Sequence, residues 1–144
     1  MSDVPAFLDT NVLVYAFDEG EPEKREVARR LVSEHLIEGD GMLSVQVLRE
    51  FYSATRKLAH PLPIGKAVEA VGYLARFSPI AEDARMVVGA AHRSRELALS
   101  FWDALIVEAA LRGGADRILT EDLQHGQRIE SLTIENPFLE IAGG

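Results

Sequence analysis

Asp9, Glu50, Asp103 and the adjacent pair Glu121 and Asp122 are the residues of this chain whose types and spacing point to chemistry. Each stands beside an apolar segment. Asp9 follows Ala6-Phe7-Leu8, and Glu121 and Asp122 follow Arg117-Ile118-Leu119-Thr120. Glu50 lies early in a helical stripe that opens at Gln46, and Asp103 lies three residues after Ser100. Brought to one place, these carboxylates repel one another. Hard divalent cations resolve that conflict, because Mg²⁺ and Mn²⁺ favour carboxylate and water oxygens.

The elements that must position these acids are read from apolar periodicity and turn residues. Ala6–Leu8, Met42–Val45, Arg117–Thr120 and Leu132–Glu135 read as short buried strands. Helical spacing predicts helices over Asn11–Phe17, Pro22–Glu38, Gln46–Leu58, Ile64–Phe77 and Glu82–Leu97, and one opened by Ser100 and closed by Gly113-Gly114. Strands alternating with helices of this length imply an α/β fold with a mainly parallel sheet covered on both faces. Ligands of such sheets bind beyond the carboxyl ends of the strands. Each acid falls on that side.

Every acid also has a purely structural explanation. Asp9 can cap the short helix that follows it. Ser100 and Asp103 have the spacing of a capping box with Asp in place of Glu. Glu50 sits at the border of its apolar stripe, where a solvated side chain is ordinary, and Thr120-Glu121-Asp122 can be a polar turn. The helix of Asp103 argues for more. Trp102, Leu105, Ile106, Val107, Ala109, Ala110 and Leu111 leave it little polar face, so it is expected to be buried, and a buried charge needs a partner or a metal.

The 144 residues suggest one domain over 1–144, long enough to bury a core without staples. The absence of cysteine excludes disulfides, thiolate metal sites and a cysteine nucleophile, and fits a cytoplasmic location. Met1 to Phe7 shows no signal-peptide pattern, and no apolar run approaches membrane-spanning length. The net charge of −8 argues against coating nucleic acid by charge alone. A P-loop, a Gly-x-Gly-x-x-Gly opening and a nucleophile elbow are all missing. An aspartyl phosphatase would place a second acid at position 11, which is Asn.

Four segments together resemble the motifs of PIN-domain nucleases: Phe7-Leu-Asp-Thr-Asn-Val-Leu13, Val47-Leu-Arg-Glu-Phe51, Ser100-Phe-Trp-Asp-Ala-Leu-Ile106 and Leu119-Thr-Glu-Asp-Leu-Gln-His-Gly126. They occur in the family's order from residue 7 to 126. Among PIN proteins of this size the likeness is to VapC-type toxins. The resemblance implies a Rossmann-like three-layer sandwich and Mg²⁺- or Mn²⁺-dependent endoribonuclease activity. It implies Asp9, Glu50, Asp103 and Asp122 as metal ligands and catalytic acids, with Thr10 and Asn11 ordering the site. The fourth acid falls on Glu121 or Asp122, and the Thr-x-Asp spacing favours Asp122, leaving Glu121 in support. The implied partners are RNA, a second copy of the chain and a small antitoxin.

Substrate contact calls for positive charge. Lys24, Arg25, Arg29 and Arg30 are interleaved with acids and read as a solvated, salt-bridged face. Arg49, Arg56 and Lys57 share a helix with Glu50 and are the better candidates. His125, three residues after Asp122, reads as a surface histidine. Tyr73, Phe77 and Phe138 are candidates for a dimer surface, with core packing expected for at least two. Two other roles fit the same residues: a catalytically silent PIN-fold module that binds RNA or protein, and a PIN nuclease that processes RNA or cuts DNA without being a toxin.

Overall fold

The computed structural model describes residues 5–141. Strand β1 (Ala6–Leu8) is wholly buried and leads through Asp9 into α1 (Thr10–Tyr15). Next come α2 (Pro22–Leu31), α3 (Val45–Thr55), α4 (Ile64–Leu74), α5 (Ala84–Leu97) and α6 (Phe101–Arg112). Strands β2 (Arg117–Leu119), β3 (Arg128–Ile129) and β4 (Leu132–Glu135) complete the sheet.

The strand order is β1-β2-β4-β3. β2 pairs in parallel with both β1 and β4, and β3 adds an antiparallel edge. This is the expected α/β architecture: a mostly parallel sheet flanked by helices. Phe7, Leu8, Ile118, Leu119, Leu132 and Ile134 meet Val47, Phe51, Leu105 and Ile106 in one core, so the two faces of the sheet are dry. No described helix is long and apolar enough to cross a membrane.

Helix starts follow the capping chemistry. Ser44 Oγ accepts from the Val47 amide, Asp83 from the Met86 amide, and Ser100 Oγ from the Asp103 amide. The Ser44 cap explains why the strand expected over Met42–Val45 is so small. With α3 already begun at Val45, only isolated parallel bridges remain, Phe7 with Met42 and Ser44 with Ile80. The helix expected over Pro22–Glu38 is not uniform either. After Leu31 it widens into a π-helical segment, Val32–Ile37, with the Glu38 amide on the Ser33 carbonyl. The chain then folds back, and the Gly41 amide meets the His35 carbonyl at 2.6 Å. The edge strand β3 has no counterpart among the expected elements. Two residues carry too little pattern to read, and the hairpin turns through Glu130 at φ 52° rather than through a glycine.

Candidate metal centre

Asp9 and Asp122 lie beyond the carboxyl ends of β1 and β2, and the charges of Asp122 and Glu50 bear on both Asp9 and Asp103. Asp9 is only 4% exposed. It caps α1 by accepting from the Thr10 amide at 2.7 Å, and its other oxygen accepts from the Thr120 hydroxyl at 2.9 Å. The cap expected of Asp9 is present, and the carboxylate it fixes feels the charges of Asp122 and Glu50.

Thr120 is the organising residue that the motif reading missed. It is fully buried. Its hydroxyl donates to Asp9 while accepting from Asn11 Nδ2 at 2.9 Å and from the Asp122 amide at 3.1 Å. Asn11 Nδ2 also donates to Asp122 Oδ2 at 3.1 Å, and Asn11 Oδ1 accepts from the Glu121 amide at 3.2 Å. Asn11 thus staples the loop after β2 to the loop after β1. A buried threonine just before two acids at a strand end was the available signal.

Glu50 reaches the same region from α3. Its Oε1 accepts from the Thr10 hydroxyl at 2.9 Å, and its Oε2 accepts from Gln46 Nε2 at 3.0 Å. Gln46 Nε2 also donates to the Trp102 carbonyl at 3.1 Å, which ties α3 to the first turn of α6 beside Asp103. Gln46 was read only as the start of a helix. It is 2% exposed, and its Oε1 is buried without a hydrogen-bond partner.

Glu121 and Asp122 separate cleanly. Glu121 turns away to an ion pair with Lys24 at 3.2 Å and a short hydrogen bond from the Tyr15 hydroxyl. Lys24 lies under this pair, 4.8 Å from the Tyr15 ring centroid, with only 15% of its side chain exposed. It is not the solvated cation expected from its acidic neighbours in sequence. Asp122 stays with Asn11 and the other acids.

The charge balance follows. Among the described residues, no lysine, arginine or histidine forms an ion pair with Asp9, Glu50, Asp103 or Asp122. Burial pushes Asp9 up to about 7; the bonds from Thr10 and Thr120 oppose the shift, and the charges of Asp122 and Glu50 add to it. Asp103 is raised by burial and by the same two charges, against a bond with Ser100. No three acidic or histidine side chains among the described residues stand close enough to form a closed ligand shell. The donor set still fits a hard cation: all oxygens, one buried carboxylate without a counter-charge, and like charges that hold one another apart. Mg²⁺ commonly takes one or two carboxylates and keeps several waters, so it needs no all-protein cage.

The proposed basic contacts are more committed. Arg49 is ion-paired with Glu82, and Arg56 donates to the Leu62 carbonyl at 2.6 Å. Lys57 forms no ion pair among the described residues. His125 is exposed and its Nδ1 accepts from the Asn136 amide at 3.0 Å, which gives it a turn-stabilising role. Phe138 is buried against Tyr15, Phe77 is partly buried, and Tyr73 is exposed.

A family model for the PIN domain matches residues 6–128. The chain belongs to the PIN-domain family. That span contains all four acids, and the family is one of nucleases. Among solved structures, the PIN domain is similar to the crystal structure of VapBC2 from Rickettsia felis bound to a DNA fragment from their promoter. The likeness covers 92% of this chain and 98% of that one, at a TM-score of 0.61 and 21% identity, and it shows a shared fold. No curated protein matches this PIN domain.

Proposed function

We propose that this PIN domain is an Mg²⁺- or Mn²⁺-dependent endoribonuclease, with Asp9, Glu50, Asp103 and Asp122 as its metal-binding acids. One observation carries the reading: the charges of Asp122 and Glu50 bear on both Asp9 and Asp103, the most buried of the four is pushed to about 7, and none has a cationic partner among the described residues. Glu121, one residue away, does have its cation. A fold that neutralises Glu121 and leaves its neighbours bare supports a site kept for an external cation. When bound, that cation supplies water activation and charge neutralisation at a phosphodiester.

The chain's own residues do the positioning. Thr120 and the α1 amide hold Asp9 in one rotamer. Asn11 holds Asp122, and Thr10 and Gln46 hold Glu50. Pre-oriented carboxylates lose little freedom when a cation arrives, which favours binding and transition-state geometry together.

The finer reading proposed here is a toxin held by a small antitoxin, acting as a homodimer in the cytoplasm; the fold shared with a VapBC2 structure accords with the toxin part of it. The experiment is cleavage of a mixed structured-RNA pool with Mg²⁺, with EDTA, and by Asp9→Asn and Asp103→Asn. Cutting that needs metal and both acids is the expected result. Cutting that survives both substitutions refutes the assignment.

A further inference from the structure

Trp102 is the one tryptophan in the sequence, and it is 59% exposed. The apolar pattern of α6 assigned it to the core, and Ala104, Leu105, Ile106, Val107, Ala109 and Ala110 are indeed buried there. Trp102 is not. An indole left in water gives up much of the transfer free energy that its burial would provide. Its main chain, in contrast, is held firmly. Gln46 Nε2 donates to the Trp102 carbonyl and, from the same nitrogen, to Glu50. That orientation of the amide is set by chemistry, since a flipped amide would bring its oxygen against two acceptors. The ring is braced by Phe101, edge to face, with centroids 5.1 Å apart. An exposed aromatic, braced by Phe101, therefore stands on a main chain that Gln46 ties to one acid, Glu50, and it precedes another, Asp103.

We infer that Trp102 stacks on an unpaired nucleobase of the RNA substrate, next to the phosphate presented to the carboxylates. This rests on the nuclease reading above. Position favours a base over a protein surface as the occupant, because Trp102 directly precedes Asp103 and its carbonyl is tied through Gln46 to Glu50, where the proposed site would receive a strand. With a net charge of −8, the chain gains little affinity from phosphates, so a contact that ignores charge carries a larger share. Stacking is such a contact, and it tolerates any base because every base has a π-face.

The single tryptophan supplies the readout. Its fluorescence is titrated with a short single-stranded oligoadenylate and with a duplex RNA of equal length, in Mg²⁺ and in EDTA, by rapid mixing. The expected result is quenching by the single strand and little by the duplex. Trp102→Ala should bind the labelled oligonucleotide about 5- to 150-fold more weakly, the equivalent of the ~1–3 kcal/mol of one base–aromatic stack. Its KM should rise more than its kcat falls, and its melting temperature should hold because the side chain is exposed. Trp102→Phe should recover part of the loss.

Wild-type protein that cuts RNA, beside a Trp102→Ala variant with unchanged KM, overturns this inference and leaves the nuclease standing. Quenching without any cutting keeps the stacking contact and removes the nuclease. Neither binding nor cutting removes both. A Trp102→Ala variant that cuts normally but loses self-association or antitoxin binding assigns the residue to a protein surface instead.

Discussion

Asp9 carries a charge in a place that does not welcome it, and this dictates how the metal-free protein responds to pH. Its carboxyl is raised to about 7 in the fold, against 3.8 for an ordinary aspartate, chiefly by burial. Between those values the folded chain holds a proton that the unfolded chain has released. The stabilisation from protonated Asp9 is complete below about pH 4 and is lost as the pH rises through 7, with a slope of at most about 1.4 kcal/mol per pH unit. Metal-free protein should therefore melt higher at pH 5.5 than at pH 8 through this group. Asp9→Asn should flatten that dependence and raise the melting temperature at pH 8 while abolishing activity; an unaltered pH slope would count against it. The adjacent acids should behave differently. Asp122→Asn should remove activity at little cost in stability. Glu121→Gln should leave Lys24 short of its partner and cost about 1–3 kcal/mol by denaturant titration, with most activity retained. At this scale the four acids of the candidate site are named from side-chain type and motif spacing alone, and the structure adds the burial of Asp9 and the lack of counter-charges among the described residues. The roles of Thr120, Gln46, Tyr15 and Lys24 were not legible in that way. Their roles depend on partners as much as 111 residues away in sequence, which no local pattern contains.

The elements act through their ends. Asp9, Thr120 and Asp122 all lie just past strand termini, and Asp103 lies in the first turn of a helix. Strand and helix types were readable from apolar periodicity, since β1, β2, β4 and the helix bodies fall where the pattern puts them. Boundaries moved where a cap outranked periodicity, as Ser44 and Asp83 show. The π-helical segment and β3 escaped because apolar spacing does not report hydrogen-bond register. Two substitutions test this scale. Thr120→Val keeps the size of the side chain but strands three hydrogen-bonding groups. It should cost about 2–4 kcal/mol and lower kcat through a loosened Asp9. Gly41→Ala would place a Cβ 2.6 Å from the His35 carbonyl oxygen, a contact that only a backbone shift relieves. The expected loss is about 1–3 kcal/mol, seen as a lower denaturant midpoint, with activity at saturating Mg²⁺ largely kept. A midpoint equal to wild type would show that the turn after the π segment yields freely.

At the scale of the whole molecule, the proposed metal centre would link folding to cation concentration. Mg²⁺ that binds the native site and not the unfolded chain should stabilise the fold by about 2.7 kcal/mol at a hundred times its Kd. A calorimetric midpoint unmoved by saturating Mg²⁺ would speak against the site. The −8 net charge also predicts a shallow salt dependence of RNA binding, made shallower still by Lys57→Glu. Composition told the class and the sign of this field, but where the charges are paired was visible only in three dimensions. The candidate site draws on segments far apart in the sequence. Asp9 follows the first strand, and Thr120, whose hydroxyl donates to it, has its own amide donating to the Glu135 carbonyl of β4 at 3.0 Å. A chain still emerging from the ribosome has its first acid long before it has the contacts that aim it. Until β4 is made and docks, Thr120 lacks the Glu135 contact that aligns it with Asp9, so the proposed centre would not form on a nascent chain that has yet to reach this strand.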